Sequence, residues 1–234
     1  MAKATTGFSG ADIKNFVNIA ILNAIKEGRK FANHNDFEFA LDRVTMGIGR
    51  KSMHVSEEEK LMTAYHEGGH TLVNLLTPGT LPLHKVTILP RGPALGFTAM
   101  LPDKDYHSQT KREIISGIDV ALGGRIAEEL IYGNDSITTG CSSDMNRATD
   151  LAYAYVRSFG MNADVNLISA NKEDFSDGFN YIIDQEVQSI LEKSLQRTRR
   201  LVLENKERLD KLAVELVKRE TMDANEVKTL LDLK

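Results

Sequence analysis

The sequence predicts a mainly helical fold with a small β-hairpin beside its central helix. Three observations carry this. Apolar residues recur at three- and four-residue spacing over long stretches; capping serines, threonines or aspartates stand just before several of them; and alternation of apolar and polar residues is confined to one short region between His84 and Leu101. At 234 residues, 41% of them hydrophobic and 26% charged, the chain can bury a sizeable core without a disulfide or metal staple.

Ser9 with Asp12 three residues on opens a first helix whose apolar face is expected at Ile13, Phe16, Val17, Ala20, Ile21, Ala24 and Ile25, ending near Gly28. Asn35 or Asp36 is expected to cap a second short helix carrying Phe37, Ala40, Leu41 and Val44, and Met46 to Val55 reads as linker. Two short helices bury too little to stand alone, so residues 1–46 read as the end of a larger upstream unit. Ser56 and Glu59 form a capping box for a helix running to Leu76, stopped by Pro78 and Gly79. Val86 and Ile88 alternate with polar neighbours as in a half-buried strand; Arg91-Gly92-Pro93 is a turn, and Leu95 to Leu101 is the partner strand. Thr110 to Tyr132 reads as a helix weakened by Gly123 and Gly124, and another spans about Ser143 to Phe159. From Tyr181 the chain is helical again, in three pieces divided near Asn205 and at Asp223, an N-cap with Glu226 three residues on.

Composition excludes several functions. A net charge of −4 lacks the electrostatic footprint of a nucleic-acid binder. A lone cysteine, Cys141, allows neither an internal disulfide nor a cysteine zinc finger, so a metal would rest on histidine and carboxylate. No apolar run approaches the ~20 residues of a membrane span, and the chain as given is expected to be soluble.

The chemistry concentrates in His66-Glu67-Gly68-Gly69-His70, inside the Ser56-capped helix. Residues four apart share a helix face, so His66 and His70 can offer two imidazole nitrogens to one zinc ion, while Glu67 stands beside the metal as general base without being a ligand. Two adjacent glycines cost ~1 kcal/mol each in a helix interior, which points to a close approach by a neighbouring backbone, a metal or a substrate. Against this stands the plainer reading of two exposed helix histidines. A catalytic zinc takes a third protein ligand, and Asp119, Glu128, Glu129, Asp144 and Asp150 are the downstream candidates. Spacing leaves the choice open, with Asp144 slightly ahead because Ala148, Leu151, Ala152 and Tyr155 place it on the packed side of its helix; an N-terminal residue favoured by the helix dipole is its competing explanation.

Beyond the pentapeptide, Thr6-Gly7-Phe8-Ser9-Gly10-Ala11-Asp12, Leu89-Pro90-Arg91-Gly92, Gly123-Gly124-Arg125-Ile126-Ala127-Glu128-Glu129 and Thr138-Thr139-Gly140-Cys141-Ser142-Ser143-Asp144 occur in an order that resembles the FtsH family of membrane-anchored, ATP-dependent AAA zinc proteases, and most of all its mitochondrial i-AAA branch. The resemblance implies zinc ligands at His66, His70 and Asp144, Glu67 as base, and structural roles for Glu128 and Glu129. It implies a helical metalloprotease domain at 56–234, a linker at 47–55 and the last helices of an AAA lid at 1–46. It further implies unfolded polypeptide as substrate, adding a strand to the His84–Met100 edge near Gly96-Phe97-Thr98, homo-hexameric assembly, and a parent anchored in the mitochondrial inner membrane or else a bacterial or plastid one. A Gly-x-x-x-x-Gly-Lys-Ser/Thr phosphate loop does not occur, and Gly47 to Ser52 lacks its spacing, so ATP is expected to serve only the full-length parent. Gly68 stands where Ala or Ser is commoner in the family, a change expected to leave metal binding intact.

Two other functions compete. A catalytically silent hexamerisation module would use the tail face of Leu195, Val202, Leu209, Leu212 and Leu216; a non-peptidase hydrolase would apply the same zinc chemistry to another ester or amide.

Overall fold

A computed structural model of the chain describes residues 5–45, 47, 49, 55–91, 94–102, 108–162, 165 and 176–233. Most of the expected linker, and Gly92 and Pro93 of the expected turn, lie outside them; around that turn Arg91 and Ala94 exchange backbone hydrogen bonds of 2.9 and 3.0 Å.

The first two helices form a small unit. α1 (Gly10–Lys26) starts with the expected Ser9–Asp12 capping box, and α2 (His34–Thr45) packs on it through Phe16, Ala20, Ala40 and Leu41. The apolar face of α1 is wider than one short helix can cover. Phe16, Ala20 and Ala24 are buried, whereas Ile13, Val17, Ile21 and Ile25 stay exposed, contrary to the single buried face expected. The cap of α2 also differs. Asn33, not Asn35 or Asp36, accepts from the Asp36 N–H at 3.2 Å, and Asp36 reaches back to the Asn33 N–H at 2.8 Å. Asp36 is fully buried because it also accepts from Asn23 at 2.8 Å and takes both guanidinium nitrogens of Arg29, and that guanidinium holds its carboxyl well below the usual carboxylate range.

The larger unit is built on two crossed helices, α3 (Glu57–Leu76), opened by the Ser56–Glu59 capping box, and α4 (Lys111–Tyr132), opened by another from Thr110 to Glu113. Their glycines meet. A Cβ on Gly69 would lie 2.7 Å from the Cβ of Ala127 and closer still to the Gly123 carbonyl, and one on Gly123 would lie 2.8 Å from the Gly69 carbonyl oxygen. The glycines expected to weaken α4 therefore set its distance from α3. Of the occupants considered for the space beside Gly68-Gly69, the Gly69 side is filled by backbone. A Cβ on Gly68 would meet only side chains, Leu209 at 3.1 Å and Leu212 at 3.8 Å, so that side has room for a small residue if Leu209 gives slightly.

Three further helices close the core. α5 (Ser142–Tyr153) continues as a π-helical turn over Ala154–Ser158, and α6 (Asp177–Glu204) starts four residues earlier than expected, behind a Ser176 cap; both lie on α4 around Ile114, Ile118, Leu122, Ala148, Ala152 and Ile183. α7 (Lys206–Arg219) lays Leu209, Leu212 and Leu216 against Ala64, Leu72 and Val73 of α3. The tail face considered for assembly is thus interior: Val202, Leu209, Leu212 and Leu216 are fully buried and Leu195 partly so.

The sheet is the expected hairpin plus one strand. β1 (Leu83–Thr87) pairs antiparallel with β2 (Phe97–Met100), Val86 opposite Thr98, with a bulge between Leu83 and Lys85. On its other side β1 pairs antiparallel with β3 (Thr221–Asp223), Val86 opposite Met222. β3 escapes sequence reading because it has three residues and its last, Asp223, is also the N-cap of α8 (Ala224–Leu230). The order β2-β1-β3 leaves β2 at an edge. Lys85 and Arg91 both reach Asp42 of α2, the latter at 3.0 Å, tying the small unit to the central strand.

Two predictions follow from this packing. Gly69→Ala should cost at least the ~1–3 kcal/mol typical of overpacking, because the added methyl meets backbone on a rigid helix; calorimetric unfolding measures it. Asp36→Asn should destabilise the protein at neutral pH. Because the folded pKa of Asp36 is depressed, its contribution is present above the unfolded value of ~3.9 and lost as pH falls through the folded value. Melting curves of parent and variant should therefore converge in strong acid.

Candidate active site

α3 carries His66 and His70 on one face, towards α4 and α5, with Glu67 one residue along towards the sheet. Each imidazole is held by its Nδ1. That of His70 donates to the Val120 carbonyl at 2.7 Å, and that of His66 lies 2.7 Å from Glu128 Oε1. A carbonyl or carboxylate can only accept, so both Nδ1 atoms carry a hydrogen, and each ring when neutral presents a lone pair at Nε2. Those Nε2 atoms lie 3.1 Å apart, and Oδ2 of Asp144, in the first turn of α5, lies 3.2 Å from one and 3.3 Å from the other.

Three electron-pair donors facing one another at such distances repel unless a cation sits among them. The side chains alone already favour one. Burial works against charge on His66, yet its hydrogen bonds to Asp144, Cys141 and Glu128 outweigh that and push its pKa up to about 12. Burial likewise opposes charge on Asp144, and the two histidines overcome it, holding its carboxyl well below the ordinary range. The spacing suits a metal. A tetrahedral ion at ~2.0–2.1 Å from each ligand separates them by about 3.3–3.4 Å, and the 3.1–3.3 Å between the atoms of His66, His70 and Asp144 is within a few tenths of an ångström of that. Gly124 makes the room, since a Cβ there would lie 2.7 Å from each Nε2.

Glu67 is positioned from the sheet. Its Oε2 accepts from Thr98 of β2 at 2.6 Å, and Thr98 also donates to the Glu67 carbonyl at 3.2 Å. Its Oε1 lies against Gly96, where a Cβ would come within 2.9 Å, so no side chain covers that oxygen from the strand.

The structure brings His66, Glu67, His70 and Asp144 together and separates the other candidates. Asp119 pairs with Arg197 at 2.8 Å, Glu129 with Arg199 at 2.6 Å, and Asp150 is exposed. Glu128 is more than structural filler: besides His66 it accepts from the Thr138 N–H at 2.7 Å, and both contacts hold its carboxyl low against the effect of burial. Thr98, Gly96 and the Val120 carbonyl were not singled out by sequence as holders of the site. Their roles depend on which residue opposes which; the family resemblance put Gly96-Phe97-Thr98 at the substrate edge but gave neither Gly96 nor Thr98 a part in holding Glu67.

Two histidines one helical turn apart, a carboxylate from a second helix and an unshared glutamate are the donor set of a metal-dependent hydrolase. The profile of peptidase family M41 matches residues 53–230 and that of the AAA+ lid domain residues 1–39, and the chain belongs to peptidase family M41. It is 44% identical, over 99% of its length, to the ATP-dependent zinc metalloprotease FTSH 11, chloroplastic/mitochondrial, of Arabidopsis thaliana, covering 28% of that protein. It is 43% identical, over 97% of its length, to the mitochondrial inner membrane i-AAA protease supercomplex subunit YME1 of Saccharomyces cerevisiae, covering 31% of it. With the ATP-dependent zinc metalloprotease FtsH of Bacillus subtilis the identity is 39%, over 99% of this chain and 38% of the relative. The chain thus spans about a third of the length of these curated relatives.

If Glu128 orients His66, Glu128→Gln should weaken metal binding by 10–100-fold while leaving the helical content unchanged. Competition with a chromophoric chelator, alongside circular dichroism, measures both.

Proposed function

We propose that the chain is the cutting part of an ATP-dependent zinc endopeptidase, with zinc held by His66, His70 and Asp144 and with Glu67 as general base. The observation that carries this is the convergence of the three ligand atoms within 3.3 Å of one another, with both imidazoles held from behind by Glu128 and Val120. When bound, zinc supplies a polarised carbonyl and a more acidic water. Glu67 takes the proton from the attacking water at Oε1, the oxygen Thr98 does not occupy, and returns it to the leaving amine. Thr98 keeps the carboxylate turned towards that path.

The edge of β2 supports unfolded polypeptide as the substrate. A chain laid along Phe97–Met100 would pair through its backbone next to Glu67, which gives affinity with little sequence preference. The profile matches support residues 1–46 as lid, 47–55 as linker and 56–234 as protease. The names of the relatives support ATP as the energy source of the whole protein, and a mitochondrial inner-membrane setting with a bacterial or plastid one as alternative. No helix among the described residues is long and apolar enough to cross a membrane. Assembly as a homo-hexamer belongs to the same reading; its surface is elsewhere than the buried face of α7.

Casein cleavage and bound zinc test the reading together. Glu67→Gln should retain one zinc and lose at least ~100-fold in rate, the scale of general base catalysis. Asp144→Asn should lose both zinc and cleavage. A Glu67→Gln protein as active as the parent, or an Asp144→Asn protein with undiminished zinc, would overturn the assignment.

A further inference from the structure

We propose that the Nδ1 side of His66 forms a second metal site with Glu128 and Cys141, at which a thiophilic divalent cation inhibits the enzyme. The inference rests on the reading of His66 as a zinc ligand through Nε2. His66 lies between two donor sets: its Nε2 faces His70 and Asp144, and its Nδ1 faces Glu128 and Cys141. Cys141 Sγ lies 3.4 Å from Glu128 Oε1 and 3.9 Å from His66 Nδ1, and Nδ1 lies 2.7 Å from Oε1.

A tetrahedral cation with one sulfur and two harder ligands separates them by about 3.3–3.8 Å, using ~2.3 Å to sulfur and ~2.0–2.2 Å to nitrogen and oxygen. The two sulfur distances, 3.4 and 3.9 Å, bracket that separation within a few tenths of an ångström. Only the nitrogen–oxygen pair must open, by less than about 1 Å. Cys141 is buried, and the residues on either side of it, Gly140 and Ser142, are exposed, so the thiol lies just under the surface.

Binding is an exchange of protons for metal and involves no redox step. The cation bonds to the thiolate of Cys141, to Nδ1 of His66 and to Oε1 of Glu128, and the protons of the thiol and of Nδ1 pass to solvent. The cost to catalysis comes from the lost hydrogen bond. With Nδ1 and Oε1 both on the second cation, His66 gives up the contact that fixes its ring, and as an imidazolate it offers one in-plane lone pair to each ion. Sulfur also sets the preference. The His66, His70 and Asp144 set has none, so a soft cation such as cadmium discriminates in favour of Cys141.

The chain has a single cysteine, so any cadmium–thiolate charge-transfer absorption must come from Cys141. Cadmium is titrated into the zinc-loaded full chain while ultraviolet absorption and casein cleavage are followed, each protein being compared with its own cadmium-free rate. The expected result is one equivalent of the thiolate band, rising together with a loss of cleavage of about tenfold or more, the scale on which metal sites suffer when such outer contacts are broken. Cys141→Ser, which keeps a donor to Glu128 but offers a poor ligand to cadmium, should show no band and resist inhibition over the same range. Equal inhibition of Cys141→Ser, a band without loss of cleavage, or no band in the parent each overturns the proposal. A parent that binds no zinc overturns instead the function proposed above, and the band still decides whether Cys141 takes a cation.

Discussion

The close crossing of α3 and α4 is the constraint on which the rest depends. The glycine pairs Gly68-Gly69 and Gly123-Gly124 cost on the order of 3–4 kcal/mol in helix propensity, and one glycine of each pair is explained if the two backbones must nearly touch. At Gly69 and Gly123 they do. That approach brings the Val120 carbonyl under His70 and the Glu128 carboxylate under His66, two turns apart on one helix face, and Gly124 leaves the space into which both Nε2 atoms point. Bulkier residues at the crossing would separate the histidines from the groups that orient them, even with the pentapeptide itself intact.

Electrostatics then sets the cluster against the core around it. Two imidazoles and two carboxylates are linked by ion-pair contacts in a largely buried cluster, and buried charge is tolerated only when balanced. Each carboxylate has a fixed opposite: Asp144 faces both Nε2 atoms, and Glu128 faces Nδ1 of His66 and the Thr138 N–H. The elevated basicity of His66 and the depressed pKa values of Asp144 and Glu128 are three readings of this one balance, in which positive charge belongs at the centre. The proposed zinc would fill that place more fully than a proton, because it can satisfy all three inward-facing atoms at once.

How much of this was legible in the sequence depended on range. Short-range chemistry was plain: the capping boxes at Ser9, Ser56 and Asp223 start helices where expected, and the four-residue spacing of His66 and His70 places them on one face. Elements whose evidence is spread thin were missed or misplaced. β3 has too few residues for alternation to register; Asn33 lies three residues ahead of the acid it caps; and the α1 stripe does not reveal how much of itself α2 can cover. At the site, a spacing argument could rank Asp144 only slightly above Glu128, since each lies on an apolar helix near the right place. What separates them is the side of the His66 ring each one meets, Nε2 or Nδ1, and that is decided by the angle between α3, α4 and α5.

The sheet gives the site a link to the rest of the molecule that neither helix supplies. Thr98 holds Glu67 from β2, the edge strand; β2 is registered on β1 by Val86 opposite Thr98; and β1 carries Lys85, whose ammonium reaches Asp42 of α2. A chain pairing with the free edge of β2 would therefore load the same strand that orients the proposed base. Arg91, beyond the end of β1, reaches the same Asp42. The proposed base is thus held by the strand that a pairing chain would join, and the next strand is tied to α2 through Lys85 and Asp42.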